Sequence, residues 1–221
     1  MPTREQKKLL KVYRILFKRF GPQAWWPADT PFEVMVGAIL TQNTNWKNVE
    51  KAIANLKGAK GLGTGGLGAE GLGKMNIRRL EELIRPSGYY RQKAKKLKAF
   101  VRFFLKEFGG SILKMKGVER ADLLRVHGIG PETADSILLY ALDRPTFVVD
   151  AYTKRIGSRV RLFKFEDYHE IKDYFEKNLP KNLEMYKEYH ALLVELAKTY
   201  CRTKPQCRKC PINKLCYNYS Q

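Results

Sequence analysis

The stretch Leu123–Arg155, LLRVHGIGPETADSILLYALDRPTFVVDAYTKR, decides the fold. Two helical patterns meet at Gly128-Ile129-Gly130. The glycines permit φ > 0 and bring bare backbone close to whatever lies outside the turn. The helix that follows offers free N–H groups and a positive dipole end to an anion. Twenty residues beyond Gly130, the apolar link Phe147-Val148-Val149 leads to Asp150 at the start of another helix. Two readings stay open on this stretch alone. One is an anion grip followed by a reactive carboxylate. The other is an ordinary helical hairpin with a capping glycine and an N-cap aspartate worth about 1 kcal/mol.

The charge weighs between them. Lys+Arg 42 against Asp+Glu 22 gives +20 over 221 residues. A compact chain with that excess repels itself, so a polyanionic partner is expected. Nucleic acid is favoured over an anionic membrane surface, and the spread of basic residues along the chain suits a broad phosphate-contacting face. With this charge the hairpin reads as a helix-hairpin-helix, a sequence-blind grip on DNA phosphate formed by Gly128, Gly130 and Thr133. No stretch approaches the roughly 18 apolar residues of a membrane span. The N-terminal MPTREQKKLLKVYR is amphipathic and not followed by an apolar run, so a cytosolic protein, associated with the nucleoid in a prokaryote, is expected.

Helix signals dominate the rest of the chain. Thr3 with Gln6 and Thr30-Pro31-Phe32-Glu33 read as capped helix starts, and Asp167 as another. FEVMVGAIL (32–40) is apolar nearly all round, the pattern of a buried central helix. A long basic helix follows Gly88, and the last long helix, over 182–200, delivers Cys201. Residues 58–73 hold eight of the 17 glycines and read as a loop that lays Leu62, Leu67 and Leu72 on the core. TFVV (146–149) reads as an extended buried link rather than a strand. The fold class is all-α, with about ten helices.

All four cysteines fall near the C-terminus, as Cys201-x5-Cys207-x2-Cys210-x5-Cys216. In a cytosolic chain this clustering points to a metal site rather than disulfides. Four thiolates suit a [4Fe–4S] cluster or a tetrahedral zinc, and structural zinc usually uses two Cys-x-x-Cys pairs where this chain has one.

Gly-Ile-Gly-x-x-Thr-Ala followed by Val-Val-Asp resembles the endonuclease III-like helix-hairpin-helix-Gly-Pro-Asp superfamily of DNA glycosylases, from about residue 30 to the cysteines. The resemblance implies base-excision repair: cleavage of the N-glycosidic bond of a flipped, damaged base in double-stranded DNA. It gives Asp150 the role of stabilising the oxocarbenium-like sugar and orienting water. Bifunctional members carry a nucleophilic lysine two residues past the second hairpin glycine. Glu132 stands at that position, and a carboxylate cannot form the imine, so a monofunctional enzyme without lyase activity is expected. The cysteine spacing is similar to the family's iron–sulfur site, one residue short in the first loop, with Arg202 and Lys204 placed towards phosphates. LTQNT (40–44) is similar to the segment whose glutamine fills the space left by the flipped base, making Gln42 the candidate wedge. Trp25-Trp26-Pro27 and Trp46 look most like the base pocket of the 3-methyladenine glycosylase branch. An electron-rich aromatic sandwich would favour a cationic alkylated purine by stacking and cation–π attraction. The alternatives are another lesion (mismatched adenine or thymine, an oxidised base), with or without lyase activity, or a non-catalytic iron–sulfur DNA-binding protein.

The expected architecture is two helical lobes with a DNA-binding cleft between them, in a monomer. A six-helix-barrel lobe spans 24–134 and ends in the hairpin. A second lobe joins 1–23 to 135–221 and carries Asp150 and the cluster.

Overall fold

The computed structural model describes residues 2–59 and 67–219. Twelve α-helices and no strands are present among them: α1 (Arg4–Phe20), α2 (Pro31–Leu40), α3 (Trp46–Lys57), α4 (Ala69–Lys74), α5 (Ile77–Leu83), α6 (Tyr90–Phe108), α7 (Ile112–Met115), α8 (Arg120–Arg125), α9 (Pro131–Ser136), α10 (Ala151–Val160), α11 (Tyr168–Asn178) and α12 (Leu183–Thr199). The chain is therefore all-α, as its periodicity predicts. The starts follow the capping chemistry. Thr3 accepts from Gln6 N, Thr30 from Glu33 N, and Asp167 from His169 N and Glu170 N. Each side-chain oxygen satisfies an N–H that the helix itself leaves over. Among the described residues no helix is long and apolar enough to cross a membrane.

The chain forms two compact units, Trp26–Arg144 and Met1–Trp25 with Pro145–Gln221. The first unit ends ten residues later than the expected 134. The helix entered at Pro131 does not stop at Ser136 but continues as a π-helical turn, Ile137–Ala141. Every residue of that turn is buried, and it packs on α2.

The core of the first unit is α2, buried from Phe32 to Leu40, against α6. Phe32 stacks on Phe104 at 5.7 Å, and Phe104 on Phe100 at 6.2 Å. The basic helix α6 turns two lysines inward as helix caps. Lys93 is 2% exposed and donates to Leu40 O (2.8 Å), at the end of α2, and to Ser87 O (2.7 Å). Burial lowers its pKa to about 8, with Lys96 adding to the effect. Lys98 donates to Leu72 O (2.9 Å), Gly73 O (2.7 Å) and Met75 O at the end of α4. Each satisfies carbonyls that a helix C-terminus leaves over.

That cap explains why part of the glycine tract is helical where a loop was expected. A Cβ at Gly73 would lie 3.0 Å from Leu105 and 3.4 Å from Val101, so glycine lets α4 sit directly on α6. Leu67 and Leu72 are buried as anticipated; Leu62 lies outside the described residues.

In the second unit α12 packs on α1 and α10. The link 146–149 is buried and forms no helix or strand, and Phe147 stacks on Phe175 at 4.1 Å with Tyr186 and Tyr189 edge-on. Tyr189 Oη donates to Leu9 O at 2.9 Å. Lys8 caps α10 through Val160 O (3.1 Å) and Arg161 O (2.7 Å).

Candidate active site and cysteine cluster

The hairpin joins α8 to α9. Gly128 has φ +83°, and Ile129 N donates to Val126 O at 3.0 Å, closing the turn. A Cβ at Gly128 would overlap the aliphatic stem of Lys96, so the position needs glycine for conformation and for space. Gly130 is different: nothing lies within 4 Å of where its Cβ would stand, so the backbone is bare at the point of expected approach. Pro131 opens α9, its missing N–H costing nothing at a helix start. The two helices are braced by Arg120 and Asp135. The guanidinium meets both carboxylate oxygens (2.8 and 2.9 Å), with the Asp135 side chain 0% exposed.

Gln42 ties the segment after α2 to this hairpin. Its Nε2 donates to Gly128 O and Thr133 Oγ1, both at 3.0 Å, and its Oε1 accepts from Lys96 Nζ at 2.5 Å. Thr133, expected at a phosphate, is instead buried with its hydroxyl turned to Gln42. Glu132 is exposed on the first turn of α9.

The four aromatic-pocket candidates divide. Trp26 and Trp46 meet edge to face at 5.1 Å, and Tyr140, delivered by the π-helical turn, lies 5.4 Å from Trp26. The Trp26 indole lies against Gly37 of α2, where a Cβ would be 3.2 Å from its Nε1. Trp25 belongs to the other unit, where the Lys198 ammonium lies 4.9 Å over its ring. Pro27 is exposed. Tyr140 was missed from the sequence because it lies in an apolar run that reads as plain core.

Asp150 caps α10, its Oδ1 accepting from Thr153 N at 2.6 Å. Its Oδ2 lies 3.5 Å from His190 Nε2, and the two side chains are 14% and 6% exposed. Burial pushes the Asp150 pKa up, but His190 and the Thr153 contacts outweigh it, and the net shift is downward. The carboxylate is thus held ionised in a nearly dry setting. Lys154, near Asp150 in sequence, donates to Glu166 O at 3.0 Å. His190 was missed too; the available signal was a polar residue on the buried face of the last helix, YHALLVELA.

Cys201, Cys207, Cys210 and Cys216 are all free thiols and line one small cavity of about 30 Å³ with Ile156, Leu196 and Ile212. Among the described residues no three His, Cys, Asp or Glu side chains are gathered as a single metal ion requires. Burial raises the Cys210 pKa to about 11, with Cys201, Cys216 and Cys207 adding to it. Such a nest of thiols ionises together only around a cation. Arg155 donates to Cys201 O (2.9 Å), and Arg159 donates to Cys201 Sγ (3.4 Å) and Arg202 O (2.8 Å). Arg202 and Lys204 are exposed beside them.

The chain is similar to several known proteins. A Methanocaldococcus jannaschii protein provisionally described as a DNA repair glycosylase is 50% identical over 98% of this chain and 99% of its own. Endonuclease III of Thermotoga maritima is 29% identical over 95% of this chain and 92% of its own. The crystal structure of H. pylori 3-methyladenine DNA glycosylase bound to 1,N6-ethenoadenine is 33% identical with a TM-score of 0.77, covering 88% of this chain and 97% of that one. Residues 36–181 match the family described as HhH-GPD superfamily base excision DNA repair protein. With the hairpin, the capped aspartate and a family match over most of its length, the chain belongs to the HhH-GPD superfamily of base excision DNA repair glycosylases.

Proposed function

We propose that the protein is a monofunctional glycosylase that binds double-stranded DNA as a monomer and hydrolyses the N-glycosidic bond of a flipped alkylated purine. Two observations carry this reading, each taken by itself: a nearly buried, ionised Asp150 and an exposed Glu132 at the lysine position. Asp150 faces the positive charge that develops on the sugar and orients water against it. Glu132 offers no amine, so the strand is left intact over an abasic site. Gly128 and Gly130 hold the phosphate backbone, and Gln42 exchanges its bonds to Gly128 O, Thr133 and Lys96 for the duplex when it fills the space the base has left.

The alkylated-purine reading rests on the Trp26–Trp46 pair and on the 3-methyladenine glycosylase that resembles this chain at 33% identity. An aromatic wall attracts a cationic base, and a base whose glycosidic bond is already weakened needs little acid catalysis.

The cysteines would hold a [4Fe–4S] cluster. The four thiols line one cavity, and they include one Cys-x-x-Cys pair where structural zinc usually uses two. When bound, the cluster organises the C-terminal loops, and Arg202 and Lys204 meet phosphates.

The test is a panel of duplexes carrying single lesions: methylated purines, 1,N6-ethenoadenine, 8-oxoguanine, uracil or thymine opposite guanine, and adenine opposite 8-oxoguanine. Each is run with and without hot alkali. Cleavage of the methylated-purine duplex only after alkali is expected. Direct nicking would overturn the role of Glu132, and preference for another base would overturn the pocket.

A further inference from the structure

Asp150 has two oxygens with different tasks. Oδ1 is committed to the α10 cap through Thr153 N at 2.6 Å. Oδ2 is left for chemistry, and the side chain beside it is His190, at 3.5 Å from Nε2. His190 is 5% exposed and lies on α12 between Tyr189 and Ala191, residues of the core. An imidazole taken this far from water is unfavourable without a polar purpose. The separation is longer than a settled hydrogen bond but within the range where a charge is felt strongly in a dry setting.

Six charged groups on the elements around Asp150 have partners elsewhere. Lys154 reaches Glu166 O, Arg155 reaches Cys201 O, and Arg159 reaches Arg202 O. Glu176 accepts from Phe147 N, Glu188 accepts from Gln23 N, and Lys187 pairs with Glu184.

We propose that His190 is a positioning residue for Asp150. Its Nε2–H holds Oδ2 in place and sustains the carboxylate's charge while Oδ1 anchors the helix. The imidazole acts through Asp150 and does not touch the DNA. The inference rests on the reading of Asp150 as the catalytic carboxylate.

The experiment measures single-turnover excision against pH, on whichever duplex of the panel the wild-type protein cuts fastest. Four proteins are compared: wild type, His190→Met, His190→Gln and Asp150→Asn. Thermal melting and affinity for an abasic-analogue duplex serve as controls of folding and binding. His190→Met removes the donor and keeps the bulk. It is expected to slow excision by about 10- to 100-fold, the span for losing a hydrogen bond to a charged group. Its acid limb should move to higher pH, because an aspartate without its donor is easier to protonate. His190→Gln returns a donor near Nε2 and should recover most of the rate and the wild-type limb. An unmoved acid limb in His190→Met, or equal impairment in His190→Gln, would reduce His190 to packing and overturn the inference. Normal excision by Asp150→Asn would instead overturn the catalytic carboxylate itself, and a wild-type protein inert on every duplex would remove the glycosylase reading altogether.

Discussion

Replacing Gly128 with alanine tests how the hairpin is built. Two separate penalties are expected. The first is conformational: at φ +83° a Cβ meets its own backbone, a cost of about 1–2 kcal/mol. The second is the displacement of Lys96, because the new Cβ overlaps the Lys96 stem near its root, where rotating the chain end gives no relief. Moving the stem pulls Nζ from Gln42 Oε1, now 2.5 Å away. A hydrogen bond to a charged group is worth about 1.5–3 kcal/mol, and the half-exposed setting favours the lower figure. The sum is about 3 kcal/mol, or a fall in Tm of about 6–12 °C for a protein of this size. The assay is thermal and urea unfolding of Gly128→Ala, Lys96→Ala and the double variant. With Lys96 already truncated, Gly128→Ala should cost only the conformational part, so the two changes should fall short of additive by about 1–2 kcal/mol. Strict additivity would refute the claim that Lys96 dictates glycine at this position.

Asp135→Ala removes the carboxylate that two guanidinium nitrogens of Arg120 meet and should destabilise the protein by about 3 kcal/mol, the lower end for a broken buried pair because Arg120 is partly exposed; a loss under about 1 kcal/mol in urea unfolding would show that the hairpin does not need this brace. Glu132→Lys places an amine at the exposed lip of α9. It should produce direct strand nicking and a borohydride-trapped covalent complex, both absent from the wild type; no trapped complex would mean that this position does not reach the sugar. Trp46→Leu removes an edge-to-face contact worth about 0.5–1.5 kcal/mol of stability. Its effect on excision of methylated purines should be far larger than that, and a rate loss no greater than the stability loss would return Trp46 to the core. Cys210→Ser should yield a colourless protein without the visible absorption of an iron–sulfur cluster, whereas an already colourless wild type containing one equivalent of zinc would refute the cluster.

The helix starts were open to reading because capping is local: Thr3, Thr30 and Asp167 each find a partner two or three residues away. The buried α2 and the link before Asp150 were equally plain, since continuous apolar runs have nowhere else to go. Direction was not readable. Positive charge on α6 says nothing about whether Lys93, Lys96 and Lys98 face solvent or carbonyls, and only the packing of α2, α4 and the hairpin around that helix decides it. Trp25 and Trp26 read as one unit because they are adjacent, yet the division of the chain falls between them. Thr133 looked like a phosphate contact by motif position, but Gln42, 91 residues away, claims its hydroxyl. Such long-range pairings leave no periodic trace.

The inward lysines carry a consequence for ionic strength. Lys8, Lys93 and Lys98 contribute to the +20 yet are occupied with the protein's own carbonyls. They release no counterions when DNA binds, so the slope of log affinity against log salt should count fewer phosphates than the net charge implies. Salt that strips the protein from DNA should leave the Lys93 cap intact, shielded as that buried side chain is from the bulk. The chain therefore carries two populations of lysine, one answering to the solution and one to the fold, and a salt titration of binding and of melting reads each alone.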